Sequence, residues 1–265
     1  MDLICPEMIS MADHAVLATS IKPDNIENQR LAIESWLRLG FSVASLNTPS
    51  DVEKLRPQFK DVDFFAVQEN AQTRHGKSSI AMKDVIAFLG QYGSPICGLI
   101  NPDIHWRATP AATQFLLEEA RNSMVLAHKT EVGSLDDVTG DICKLGFDVF
   151  LFDRAVLGTL PASEFRFGQP WWDYWLASCL MLPRRFPLKF ASIPFAFGLK
   201  GNTSSSDEAN QAKYGMNFAK FLDQGTYDAL LKQPPAALKS SLETLSLNVA
   251  MAILFECQWI SYFPE

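Results

Sequence analysis

The chain has 265 residues, of which 48% are hydrophobic and 20% charged, an ordinary balance for one large folded domain or a domain with a small appendage. A formal net charge of −7 argues against a general nucleic-acid binder, which would carry a basic face. The five cysteines form no CxxC pair, which excludes a zinc ribbon or a thioredoxin-type site.

The apolar run Ala15–Ala18, ending at Thr19-Ser20, reads as a buried strand. Asp24 is the expected N-cap of a helix carrying Ile26, Ile33, Trp36 and Leu37, with Gly40 as its stop. Phe41–Leu46 and Val62–Val67 read as the next strands. Met82, Val85, Ile86 and Leu89 mark one face of a helix that Gly93 ends. Pro95–Ile100 is a fourth strand and runs straight into Asn101-Pro102-Asp103. Strands separated by helices imply a mainly parallel sheet covered on both faces, with ligands at the carboxyl ends of its strands.

Further along, Met124–His128 and Phe147–Phe152 read as strands, and Trp171–Leu182 as an aromatic helix. Phe190–Phe197 reads as one more strand, and Gly198–Asp207 as a flexible loop. From residue 207 the pattern is helical, with Leu238, Leu242, Leu245, Val249 and Leu254 at helical spacing. The expected division is a core over 1–206 and a helical appendage packed on it over 207–265. Its apolar stripe could also serve as an oligomer surface or as a docking face for a membrane or partner. With no uninterrupted run of about 18 apolar residues, no transmembrane helix is expected. Odd, scattered cysteines and no basic, apolar leader point to a cytoplasmic protein, at most peripheral to a membrane.

No GxGxxG, P-loop, HExxH or GxSxG motif is present, and there are only four histidines. Carboxylates, hydroxyls and aromatics must therefore carry the chemistry. Asp103, just past an apolar strand, is the sharpest feature. Hard oxygen ligands suit Mg²⁺ or Mn²⁺, which can bridge a carboxylate and a diphosphate. The other reading of Asn-Pro-Asp is a turn that starts a helix.

The segment SPICGLINPDIHW resembles the strand and DxD-type motif of GT-A glycosyltransferases, with Asn101 in the first acidic position. The segments TSI, QRLAIESWLRLGF, SVASLN, GFDVFLFDR and FGQPWWDYWL are similar, in order and spacing, to bacterial and plant GT-A proteins of poorly characterised branches, over roughly residues 14–200. The resemblance implies an α/β GT-A-like fold and transfer of a sugar from a nucleoside diphosphate, a UDP-sugar first among the candidates, to an acceptor hydroxyl, on a glycan or a lipid-linked acceptor. It implies Thr19, Ser20, Ile21 and Asn47 around the nucleotide; their alternative role is hydrogen bonding in strand-end turns. Arg30, Lys77 and Lys200 are candidates for phosphate contacts, with solvated surface charge as the alternative.

Asp103 would be the metal ligand, Asn101 a weak or indirect one, and His105 a further candidate or a structural histidine. Asp173 stands where inverting members place the general base, beside Trp171 and Trp172, whose rings suit a sugar face. A plain helix cap and plain core rings are the competing readings. One departure is clear: no histidine follows His128, where GT-A enzymes often supply a late metal ligand. A metal site could thus be incomplete and the metal dispensable. The rival functions are a degenerate, non-catalytic GT-A domain and a nucleotidyltransferase, although TSIKPDN lacks the glycines of a phosphate loop.

Overall fold

The computed structural model describes residues 15–68, 79–143, 146–201 and 208–263. Lys77 and most of the loop expected at 198–207 lie outside the described residues.

Ala15–Thr19 forms β1, buried at all five positions, as an apolar run inside a two-sided sheet must be. Helix α1 (Ile26–Leu37) starts one residue later than expected, because its N-cap is Asn25 in the left-handed region and not Asp24. The Gln29 side chain explains this. It accepts from the Lys22 amide at 2.8 Å and donates to the Lys22 and Asp24 carbonyls, closing the turn without an aspartate cap. β2 (Ser42–Asn47), α2 (Pro49–Leu55) and β3 (Asp63–Ala66) follow, with Thr48 capping α2. Helix α3 (Met82–Tyr92) ends at Gly93, whose φ of 93° suits a residue without a side chain. Then come β4 (Ile96–Ile100), β5 (His105–Trp106), α4 (Pro110–Glu119), β6 (Met124–Ala127), β7 (Thr130–Val132), β8 (Asp141–Ile142) and β9 (Val149–Asp153). The rest is α5 (Trp172–Met181), β10 (Leu188–Ala191), β11 (Ala196–Leu199), α6 (Glu208–Leu222), α7 (Gln224–Leu231), α8 (Pro235–Glu256) and β12 (Gln258–Ile260).

Eight strands form the main sheet in the order β12-β10-β6-β9-β4-β1-β2-β3. All its pairings are parallel except those of β9, which runs antiparallel between β4 and β6. The start of β9 therefore lies at the same edge as the carboxyl ends of β4 and β6. A smaller sheet, β5-β11-β7-β8, grows from the chain just past those ends. A mainly parallel sheet flanked by helices is the α/β architecture expected from the sequence.

Two details differ from the sequence reading. Phe190–Phe197 is not one strand but parts of β10 and β11, which belong to different sheets. Pro194 lies in the break between them, and a proline cannot donate to a ladder. The region after residue 207 is not purely helical either. β12 pairs in parallel with β10, so the last strand of the appendage completes the edge of the main sheet.

Alternate residues of β1 serve two cores, Val16 and Ala18 on one face, Ala15 and Leu17 on the other. The first face is aromatic and includes Phe150, Phe165, Trp171, Trp172, Trp175 and Phe218. It also takes in Leu242, Val249 and Ile253 of α8, so residues before and after 207 share one hydrophobic cluster. On its outer side α8 leaves Leu247, Met251 and Phe255 exposed. Its 22 residues are long and apolar enough to cross a membrane by length and composition, where the sequence led to the expectation of no transmembrane helix.

Candidate functional site

The carboxyl edge of the main sheet gathers polar side chains from four segments. After β4 stand Asn101 and Asp103. After β6 stand His128 and Lys129. Gly146, Phe147 and Asp148 lead into β9, and Asp173 sits in the first turn of α5.

Asp148 is the node. Its Oδ1 accepts from Asn101 Nδ2 at 3.2 Å, and its Oδ2 from the Lys129 amide at 3.3 Å. Its own amide donates to the Ala127 carbonyl at 3.1 Å, which fixes the segment against β6. Burial raises the pKa of its carboxyl, the Lys129 charge and amide pull it down, and nearby Asp103 pushes it up, with a net rise. Burial also works against the Lys129 ammonium. Asp148 and Glu131 more than offset it, and the lysine pKa is raised. The Lys129–Glu131 ion pair measures 3.1 Å.

Asp173 is buried beside this node. Its Oδ2 accepts from the Phe147 amide at 2.9 Å. Burial, partly opposed by the Phe147 and Tyr174 amides, raises its pKa to about 6. Gly146 turns the chain here with φ 87°, and a Cβ on it would stand 3.0 Å from Asp173 Oδ2. His128 donates from Nδ1 to the Gly146 carbonyl at 2.7 Å, and its ring stacks on Phe147 at 5.0 Å. Burial lowers its pKa, partly opposed by this bond, which holds a proton on Nδ1.

The residues expected around a nucleotide are at the same edge but already engaged with one another. The Ile21 amide donates to Ser45 Oγ at 3.0 Å, and Asn47 Nδ2 donates to the Ile21 carbonyl at 2.6 Å. Ser45 Oγ donates to Asn47 Oδ1 at 2.6 Å, closing the set. Ser20 is partly exposed beside them. Thr19 is different: it is 2% exposed, and its Oγ1 has no hydrogen-bond partner. A buried hydroxyl without a partner at a ligand edge is an open acceptor and donor.

Other expected residues stand elsewhere. Arg30 is on the outside of α1, ion-paired at 2.6 Å with both Glu27 and Glu34. Lys200 is exposed and paired with Asp141 at 2.6 Å. Trp171 and Trp172 are 5% and 4% exposed. Trp171 packs on Phe218 at 5.2 Å, and Trp172 on Phe167 at 4.8 Å, so both rings lie inside the aromatic core. His105 is buried, its Nε2 within 2.9 Å of Asn28 Oδ1, and burial followed by the Arg107 charge lowers its pKa to about 4.

These contacts test the fit of a divalent ion. Among the described residues no three His, Cys, Asp or Glu side chains come together to hold a metal. His105 is tied to α1 through Asn28, and the Asn101 amide nitrogen faces Asp148. A lysine ammonium already neighbours Asp148. Among the described residues the protein alone therefore offers no three-ligand cage for Mg²⁺ or Mn²⁺.

Asp148, Lys129 and His128 escaped the sequence reading. The available signal was position: each flanks a strand at the edge where β4 delivers Asp103. A cavity of about 200 Å³ lies away from this edge, between the last turn of α5, Pro187 and Glu256.

No known protein family matches the sequence, and no curated protein does. Among solved structures the chain is similar to a mannosyltransferase from Pyrobaculum calidifontis in complex with GDP-Man and Mn²⁺. Identity is 13%, over 91% of this chain and 73% of that one, with a TM-score of 0.44. It is similar to residues 1–349 of TarS from S. aureus in complex with UDP-GlcNAc, at 12% identity over 90% and 72% of the two chains and a TM-score of 0.49. It is also similar to an inositol-1-phosphate CTP transferase from T. maritima, at 10% identity over 76% and 94%, with a TM-score of 0.43.

Proposed function

We propose that this protein transfers a sugar from a nucleoside diphosphate donor to an acceptor hydroxyl. One observation carries the reading. Asp103 and Asp148, from two separate segments, interact electrostatically at the carboxyl edge of a mainly parallel sheet, the edge where β1 ends in Thr19 with its unpartnered Oγ1. Ligands of open α/β sheets bind at that edge. An alcohol is a weak nucleophile until a base accepts its proton, and a carboxylate with a raised pKa is suited to that task near neutral pH. Burial raises the pKa of both Asp148 and Asp173.

The donor belongs near Thr19 and the hydrogen-bonded set of Ile21, Ser45 and Asn47, whose internal bonds give it a fixed shape. The acceptor belongs over the start of β9.

A non-catalytic binding domain is the second reading. It is favoured by the engagement of Asn101 with Asp148 and by the poor metal fit. Thermal melting with UDP-GlcNAc, GDP-mannose and CTP, each with EDTA or Mn²⁺, tests both. A sugar nucleotide at 100 times its Kd stabilises the native state by about 2.7 kcal/mol, which moves the melting temperature by several degrees. Transfer to an acceptor pool then separates enzyme from binding module. A shift with CTP alone supports nucleotidyl transfer, and no shift with any of the three refutes nucleotide binding.

A further inference from the structure

We propose that the outer face of α8 and the adjoining end of α5 dock this protein on an anionic lipid surface, with α8 lying along that surface and not across it. The proposal uses none of the residues of the transferase reading and stands apart from it.

Helix α8 is apolar on two sides. Leu242, Val249, Ala250 and Ile253 are buried in the aromatic core and hold the helix to the protein. Leu247, Met251 and Phe255, spaced i, i+4 and i+8, form one row on the other side and are exposed, Phe255 at 90%. No charged residue occurs between Glu243 and Glu256, so nothing charged interrupts this row. A helix apolar all round is at home in a core or against lipid, and this one has a core on one side alone.

The patch continues past the helix. Trp259 Nε1 donates to the Leu254 carbonyl at 3.1 Å, and its ring packs on Phe190 at 4.8 Å, which fixes the indole beside the last turn of α8. It is 59% exposed, whereas the other five tryptophans are at most 5% exposed. An indole held at the surface with its N–H satisfied is suited to the boundary between water and lipid.

Charge selects lipid as the occupant. The chain carries −7 overall, yet no acidic residue occurs over 174–206, where Arg184, Arg185, Lys189 and Lys200 do. Arg184 and Arg185 are exposed where α5 ends, close behind the exposed Leu182. Arg184 Nη2 donates to both carboxylate oxygens of Glu256 at 3.0 Å, which ties this cationic corner to the residue after Phe255. A cavity of about 200 Å³ opens here, lined by Met181, Phe186 and Leu188 as well as Arg184. A guanidinium beside an apolar recess suits a lipid phosphate and the acyl chain below it. A second copy of the chain would set the same cations against these, and the acid beside them, Glu256, is already held by Arg184.

Co-sedimentation of the full chain with vesicles of phosphatidylcholine, and of an equal mixture with phosphatidylglycerol, tests the proposal. Binding should favour the anionic vesicles and weaken as salt rises. Phe255→Ser should weaken it by about tenfold or more. Arg184→Asn and Arg185→Gln should each weaken it by about fivefold. Asparagine tolerates the left-handed φ of 50° at position 184, and all three side chains are exposed, so melting temperatures should stay near wild type. At saturating vesicles, brominated acyl chains should quench the wild-type fluorescence, and the quenching should vanish in Trp259→Phe, which keeps the buried tryptophans. Absence of binding, equal binding to both vesicles, unchanged binding in Phe255→Ser, or quenching that persists in Trp259→Phe overturns the proposal. Self-association that Phe255→Ser abolishes, without vesicle binding, also overturns it and assigns the face to a second copy of the chain.

Discussion

Asn101 Nδ2 donates to Asp148 Oδ1 at 3.2 Å, joining the end of β4 to the residue before β9. A neutral amide thus stands at the first position of Asn101-Pro102-Asp103, and the neighbouring carboxylate depends on its N–H. Asn101→Asp replaces that donor by a like charge, which raises the carboxyl pKa values and costs stability at neutral pH. The variant should melt several degrees below wild type at pH 7.5 and close to it near pH 5. It should also acquire three converging carboxylates with Asp103 and Asp148, so Mn²⁺ should recover its melting temperature while leaving wild type nearly unmoved. An equal Mn²⁺ shift in wild type would mean that the native residues already hold the ion.

Two buried groups give the protein opposite pH dependences in one window. Asp173 has a folded pKa of about 6 against a reference of 3.8. The folded state binds more protons between those values, so this group lowers stability as pH rises, by roughly 3 kcal/mol once pH exceeds 6. His105, at about 4 against 6.5, does the reverse. Its unfolded form takes up a proton that the folded form refuses, and stability is lost as pH falls below 6.5. In urea unfolding at pH 4.5 and 7, Asp173→Asn should increase the excess of stability at pH 7 over pH 4.5. His105→Gln should decrease it. Parallel changes in the two variants would contradict this assignment of the slopes.

Gly146→Ala tests the contact between Asp173 and the Phe147 amide. A φ of 87° disfavours a side chain, and the new Cβ would stand 3.0 Å from Asp173 Oδ2. The expected cost is about 1–3 kcal/mol. Part of it comes from the close approach to the carboxylate, so it should shrink when the carboxylate is gone. In a double-mutant cycle with Asp173→Ala, the double variant should be more stable than the sum of the single losses predicts. Strict additivity would place the whole cost in the backbone conformation.

The main sheet was legible because its central strands are short apolar runs punctuated by glycine and proline. β1, β2, β3 and β4 all fall within a residue or two of their expected positions. The breaks came where partners remote in sequence decide. Gln29 closes the turn before α1, which displaces Asp24 as cap. β11 leaves the line of β10 to pair with β5 and β7. At the candidate site, Asp103 was visible because a parallel strand delivers it. Asp148 was not, because it precedes its strand, and only the reversal of β9 brings it to the same edge. The tryptophans beside Asp173 have the composition of a sugar platform, yet a helix apolar on all sides must be buried, and they went into the core with it.

The segment after residue 207 should be indispensable to the fold. Phe218 of α6 lies against Trp171, Phe165 and Tyr174, and Leu242 of α8 comes within 3.1 Å of a Cβ built on Gly215. Removing the segment would bare these rings over the very helix that carries Asp173. It would also strip β12 from β10, leaving an unpaired edge on the main sheet. A chain ending after Gly201 should therefore be insoluble or aggregated on expression. A cut after Glu256, which removes only β12 and the residues beyond it, should be milder and show itself as concentration-dependent association through the bared β10 edge. The point variant Phe218→Ala keeps the segment but empties its central contact, and should cost about 3–5 kcal/mol in denaturant unfolding. A soluble, cooperatively melting chain ending after Gly201 would make the appendage an accessory. A wild-type midpoint in Phe218→Ala would place the weight of the packing on α8 alone.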